Sequence, residues 1–147
     1  MAELVREVMV DATPETIWPF LTEPNKQVQW HGTSAELDPK PGGVYRVLVA
    51  GQYRSAGEYV EVVPLEKIVF TFGWEDEGNP IKPGSTTVEI TLLPEGDKTR
   101  VRLVHRGLPD ETAVQMHTMG WDHYLARLVV RAGGGDPGPD RGPGIDG

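Results

Sequence analysis

Residues 3 to 11 alternate strictly. Leu4, Arg6, Val8 and Val10 fall on one face, and Glu3, Val5, Glu7, Met9 and Asp11 on the other, which predicts a strand with one acidic, solvated side. Thr13 then stands as a helix cap before Pro14 and Glu15, with Ile17, Trp18, Phe20 and Leu21 supplying an apolar stripe. Pro19 lies inside that stripe, removes a backbone donor, and predicts a kink or a shortened helix. A second short helical turn starts at Pro24 and ends near Trp30 and His31. After the DPKPGG turn the chain becomes β-rich, with strands predicted at 44–50, 53–63, 68–74, 86–93 and 99–106. The connections are mostly too short for crossover helices, so neighbouring strands should run antiparallel. Asp110 caps a long helix reaching Ala132, with Glu111 at its start, Arg127 and Arg131 in its last turns and Gly133 beyond its end. The expected order is β-α-α-β-β-β-β-β-α.

An antiparallel sheet of about six strands with one apolar face needs a cover, and only the long last helix carries enough apolar surface to provide it. Its Val114, His117, Trp121, Leu125 and Leu128 recur at three- and four-residue steps. Strand alternation turns Tyr45, Val47 and Val49 to one side, as it does Ile68, Phe70, Phe72 and Trp74. Val88, Ile90 and Leu92 share a face, and so do Val101, Leu103 and His105. In the strand at 53–63, Tyr59 and Val60 compete for the inside. The expected fold class is α+β, a twisted sheet curled around its C-terminal helix with room for a cavity between them.

Composition narrows the function. The 147 residues suit one domain, expected at 1–132. The fifteen residues at 133–147 hold seven glycines and three prolines, and are expected to form a flexible tail. Twenty-two acidic against fourteen basic residues give a net charge of −8, which disfavours nucleic acid and anionic membranes as partners. With no cysteine there is no disulfide or thiolate chemistry. No apolar run is long enough for membrane insertion, and the acidic start MAELVREVMV lacks a signal-peptide core, so a cytoplasmic location is expected.

Chemical candidates are few. Ser34, Ser55 and Ser85 lie in or beside predicted loops, and none forms a nucleophile elbow. His117 and His123 are six apart on a helix, hence on different faces, so no metal site is expected. No catalytic set and no cofactor emerge. Two polar residues turn inward by alternation, Arg6 between Leu4 and Val8, and His105 after Leu103. Each is either a polar anchor for a small ligand or a locally satisfied structural group, Arg6 snorkelling to an edge or pairing with Glu7 or Asp110. Trp30, Tyr45, Trp74, His117 and Trp121 form an aromatic constellation that reads first as core.

These segments resemble the START-like, helix-grip superfamily (SRPBCC), and within it the homologues of the C-terminal domain of the heat-shock-protein ATPase activator. The resemblance is carried by Asp11 to Trp18, Leu21 to Pro24, Trp30, Pro41-Gly42-Gly43, Gly57-Glu58-Tyr59, Glu66 to Phe72 with Trp74, and Gly120-Trp121 with Leu125 and Leu128. His31 departs from it, standing where many relatives carry a second aromatic. The resemblance implies a helix-grip fold in which the first and last strands pair, bringing Arg6 near His105. It also implies a cavity between sheet and helix, lined by Arg6, Trp30, Tyr45, Tyr59 and Phe72 together with Trp74, His105, His117, Trp121 and Leu125. The expected function is a binding module for a small hydrophobic molecule, a lipid, a polyketide-like compound or an aromatic metabolite. Two alternatives stand beside it. One is a cyclase-, dehydratase- or hydrolase-like enzyme using His105 as acid or base and Arg6 to stabilise an enolate. The other is a chaperone-related interaction role. Homodimerisation through exposed aromatics or an edge strand stays open.

Overall fold

A computed structural model describes residues 2–143. In chain order the elements are β1 (Ala2–Val10), α1 (Pro14–Thr22), α2 (Pro24–Gln27), β2 (Ser34–Leu37), β3 (Val44–Val49), β4 (Tyr53–Val63), β5 (Lys67–Trp74), β6 (Thr86–Glu95), β7 (Lys98–Leu108) and α3 (Glu111–Ala132). The strands form one curved antiparallel sheet in the order β1-β7-β6-β5-β4-β3-β2, with α3 against its concave side in the helix-grip arrangement. The pairing of β1 with β7 sets Leu4 opposite His105 and Arg6 opposite Leu103.

The sheet has seven strands rather than about six. The added one, β2, is the four-residue edge Ser-Ala-Glu-Leu paired to β3. α1 continues to Thr22 past Pro19, because proline this far along a nine-residue helix removes only one helical bond. Beyond it the Glu23 N–H donates to the Pro19 carbonyl at 2.9 Å, and the Thr22 hydroxyl to the Trp18 carbonyl at 3.0 Å. The competition in β4 is decided by a register shift between Tyr59 and Glu61, which buries Tyr59 and leaves Val60 outside.

Alternation otherwise gives the core directly. Leu4 and Val10, Ile68, Phe70 and Phe72, Val88, Ile90 and Leu92, and Val101 and Leu103 are all buried against Trp121, Leu125 and Leu128 of α3. The α3 start is built as the sequence predicts, the Asp110 carboxylate accepting from the Ala113 N–H at 2.9 Å. The solvent face of the sheet is a lattice of charges, with Arg100 reaching Glu7 and Glu95, Arg102 reaching Glu7, and Arg106 reaching Glu3 and Glu89.

One close approach in the sheet makes a test. β4 runs so near β5 at Gly57 that a methyl there would overlap the Thr71 carbonyl, a rigid backbone atom. Gly57→Ala is therefore expected to cost about 2–3 kcal/mol, as overpacking against backbone does. Chemical denaturation checks this, and an unchanged midpoint would show that the strands are farther apart.

The chain does not leave the domain after α3. Asp140 is buried, and Arg127 donates to the carbonyls of Pro137 at 3.1 Å and Gly138 at 2.9 Å. Residues 133–143, expected as a flexible tail, are hydrogen-bonded to the domain through these groups. Polar anchors hold this stretch where its apolar content cannot. The rest of the expected tail, 144–147, lies outside the described residues.

Candidate functional site

Beneath α3 the sheet presents a cluster of aromatic rings with two histidines inside it. His105 projects from β7 and is fully buried. The Thr86 hydroxyl gives its proton to the Phe72 carbonyl at 2.7 Å, so the Thr86 oxygen accepts from His105 Nε2–H at 2.9 Å. This leaves His105 Nδ1 to accept from the Trp121 indole N–H at 3.1 Å. His117, from α3, repeats the arrangement with the other tautomer. Its Nδ1–H donates to the Ala113 carbonyl at 2.8 Å, and its Nε2 accepts from the Trp74 indole at 3.2 Å. The two imidazoles stand perpendicular, 5.2 Å apart, with the Phe72 ring edge-on to both.

Each histidine is thus fixed in one tautomer by its partners, and burial keeps it neutral. Burial, and secondarily the neighbouring His117, lowers the His105 pKa to about 3. Burial also lowers that of His117, against the opposing effect of its bond to Ala113. With both nitrogens of each ring engaged and the rings uncharged, neither is set up as an acid or base at neutral pH. What the pair offers is positioned indole N–H donors in an apolar interior.

Next to this cluster, His31 packs its ring against Trp30, Trp121 and Tyr124 at 5.3, 5.4 and 4.6 Å. It fills the place of an aromatic, and its Nδ1 pairs with the Gln27 amide at 3.0 Å. Burial lowers its pKa to about 4, with Asp140 opposing and Arg127 adding to the shift. Tyr45 stacks on Phe70 at 4.0 Å and meets Tyr59 edge-on at 6.0 Å. The Tyr59 hydroxyl is buried and has no hydrogen-bond partner among the described residues.

The structure gathers Phe72, Trp74, His105, His117, Trp121 and Leu125 between the sheet and α3, with Tyr45 and Tyr59 packed beside them on Phe70 and Trp30 at one end, its indole on the Phe20 carbonyl at 2.8 Å. It does not bring Arg6 among them. The Arg6 side chain is 42% exposed and donates to Asp122 of α3 at 2.8 Å. Its backbone lies on the core face, but the long side chain passes the edge of α3 into water, where a guanidinium is far better solvated. An enzyme in which Arg6 and His105 share one pocket is therefore not what this geometry provides. Nor is there a large hollow where these rings meet. The gap bounded by Trp30, His31, Tyr45, Phe70 and Trp121 measures about 10 Å³, roughly the space of one water. The aromatic rings interlock as core, and the room expected between sheet and helix is largely filled by them. A larger depression of about 280 Å³ lies outside β3 and β4, but Arg46 within it is already paired with Glu75 and Glu36.

Sequence reasoning singled out His31 but missed its companions Tyr124, Arg127 and Asp140, which with it close one end of the site. Tyr124 follows Trp121 by three, so helical spacing did carry a signal for it. Asp140, in a stretch with almost no apolar content, gave none.

Residues 11–133 match the family described as Activator of Hsp90 ATPase homolog 1-like protein. The chain belongs to this family. A solved AHSA1-like protein of Rhizobium etli is 38% identical, with 99% of this chain and 89% of that one covered and a TM-score of 0.74. Two more distant likenesses bear on the fold alone. An HSP90 activator of Plasmodium falciparum is 20% identical with a TM-score of 0.75, covering 90% of this chain and 97% of that one. The Aha1 dimer of Colwellia psychrerythraea is 18% identical with a TM-score of 0.76, covering 92% and 100%. The sequence matches none of the curated proteins. AHSA1-like membership agrees with the segments that carried the resemblance, since all of them lie within the matched span. Among the described residues no helix is long and apolar enough to cross a membrane.

Proposed function

We propose that this AHSA1-like protein is a binding module for a small, largely apolar molecule carrying at least one hydrogen-bond acceptor, received between α3 and the sheet. The binding surface is Tyr45, Tyr59, Phe72, Trp74, His105, His117, Trp121 and Leu125, with Trp30 and His31 at one end. Because the gap beside Trp30, Tyr45 and Trp121 is only water-sized, entry there requires α3 and the aromatic rings to move apart. The observation that carries this reading is the Tyr59 hydroxyl, buried without a partner in the same ring cluster. An orphaned hydroxyl in an apolar interior costs stability, and a guest that accepts a hydrogen bond from it would offset that cost. The indoles of Trp74 and Trp121 are further donors that a guest can take over from the histidines.

The test is native mass spectrometry against a library of apolar compounds, half of them bearing a carbonyl, with NMR of the Trp74 and Trp121 indole N–H signals. A one-to-one complex that shifts these signals is expected, favouring the carbonyl compounds. Tyr59→Phe should weaken that preference while leaving the free protein equally stable or about 1 kcal/mol more so, since it deletes an unsatisfied group. The proposal is overturned if no compound binds, or if Tyr59→Phe destabilises the free protein.

A further inference from the structure

The C-terminal stretch after α3 places one carboxylate in a built receptor. Asp140 is 8% exposed. Its Oδ2 accepts from the backbone N–H groups of Gly32 at 3.0 Å and Ala50 at 2.9 Å. Its Oδ1 accepts from the Tyr124 hydroxyl at 2.8 Å and the Gly142 N–H at 3.0 Å. Three of these four donors belong to the domain, from the loop after α2, the β3–β4 turn and α3. The backbone is bent to aim two of them. Gly32 has φ +92°, and a side chain there would run into Val47. Ala50 has φ +54°, a left-handed conformation that a residue with a Cβ seldom takes.

The receptor is chemically selective. All four partners donate, so only an ionised carboxylate meets them with acceptors alone, whereas an amide or a protonated acid would turn a donor against a donor. Burial pushes the Asp140 pKa up, but the bonds from Ala50, Tyr124 and Gly142, with the field of His31, outweigh it and hold it below the usual value. Arg127, near enough to His31 to lower that ring's pKa, adds positive charge on the same side. Behind the receptor stands His31, whose ring also borders the gap shared with Trp30 and Trp121. The carboxylate position and the aromatic interior are therefore neighbours on either side of one ring.

We infer that Gly32 N–H, Ala50 N–H and Tyr124 O–H form a carboxylate-binding site, occupied in this structure by the protein's own Asp140, and that its ligand is a small organic carboxylate with an aromatic body. The ligand's carboxylate replaces that of Asp140, and its ring enters past His31 toward Trp30 and Trp121. The segment 133–143 is then a competitor that must be displaced. This rests on the reading that the interior takes a guest, and it names the guest's charged end and its point of entry.

The experiment is titration of full-length wild type and Asp140→Ala with phenylacetate, and with neutral phenylacetamide, followed by the amide signals of residues 32 and 50 and the Trp121 indole. Phenylacetate is expected to shift all three in Asp140→Ala, with affinity at least tenfold above wild type, and phenylacetamide to leave both amides unmoved. Should Asp140→Ala fail to fold, Asp140→Asn serves, because it keeps the shape while setting its NH₂ against the donors. Phenylacetate that leaves both amides unmoved in a folded variant, or moves them equally in wild type, overturns the inference. Neutral apolar compounds that still shift Trp121 in that case leave the binding reading intact, so the two failures are told apart.

Discussion

Trp121→Ala is expected to lower stability by about 3–5 kcal/mol, the range for deleting a large buried aromatic. Trp121 is 4% exposed and packs against His31 at 5.4 Å, Phe72 at 6.0 Å and His105 at 6.2 Å. Its loss also removes the donor to His105 Nδ1, leaving a buried acceptor unmet, which puts the expected cost toward the upper end. Against a typical domain stability of about 5–15 kcal/mol, that is a third or more of the total for most of the range. Trp121→Phe separates the two contributions, because it keeps most of the ring and loses only the N–H. It should cost about 1–2 kcal/mol. Urea denaturation followed by circular dichroism measures both. Added indole should raise the melting temperature of Trp121→Ala by filling the space left behind, as ligands of the native state do. A Trp121→Ala loss below about 1.5 kcal/mol would mean that α3 is not clamped on this side chain.

Much of this site was legible before any coordinates, and the reason is periodicity. Alternation turned His105 inward beside Val101 and Leu103, and helical spacing put His117, Trp121 and Leu125 on one face. Those two patterns alone place the histidines and the indole in the same layer. Periodicity assigns a face but not a depth, and there the reading ran out. Arg6 shares its face with Leu4 and Val10, yet its guanidinium reaches Asp122 in water rather than His105. The same limit applies to the cavity. Side-chain identity names what lines an interior, but whether the rings interlock or stand apart depends on how closely α3 sits. β2 escaped notice because four residues are too few to establish an alternation. The docking of residues 133–143 escaped for a different reason. Counting apolar side chains estimates burial energy, and a single aspartate with four donors supplies its anchoring through hydrogen bonds instead.

That neutral, buried histidines sit at the centre of the fold gives it an acid sensitivity of defined sign. A histidine whose folded pKa is lowered binds fewer protons than the unfolded chain does, so its stability contribution is full above the unfolded pKa of 6.5 and declines as pH falls below it. The decline continues until the folded pKa is reached, about 4 for His31 and about 3 for His105. At pH 5 each of the two is expected to cost about 2 kcal/mol relative to pH 8, about 4 kcal/mol together. His117, also lowered, acts in the same direction. Asp140 does not enter this window. Its folded pKa lies below the ordinary carboxylate value, so the stability it contributes is kept at pH 5 and lost only as pH falls further, through the folded pKa. Urea midpoints at pH 8, 6 and 5 should therefore fall steeply between pH 6.5 and 5. His105→Gln is the control, because an amide offers Thr86 a donor and Trp121 an acceptor without titrating. It should be less stable than wild type at pH 8, yet lose about 2 kcal/mol less on going to pH 5. A flat pH profile in wild type, or a Gln variant that loses as much as wild type, would mean that His105 is already solvated and that the His105–Trp121 bond is not what orders this interior.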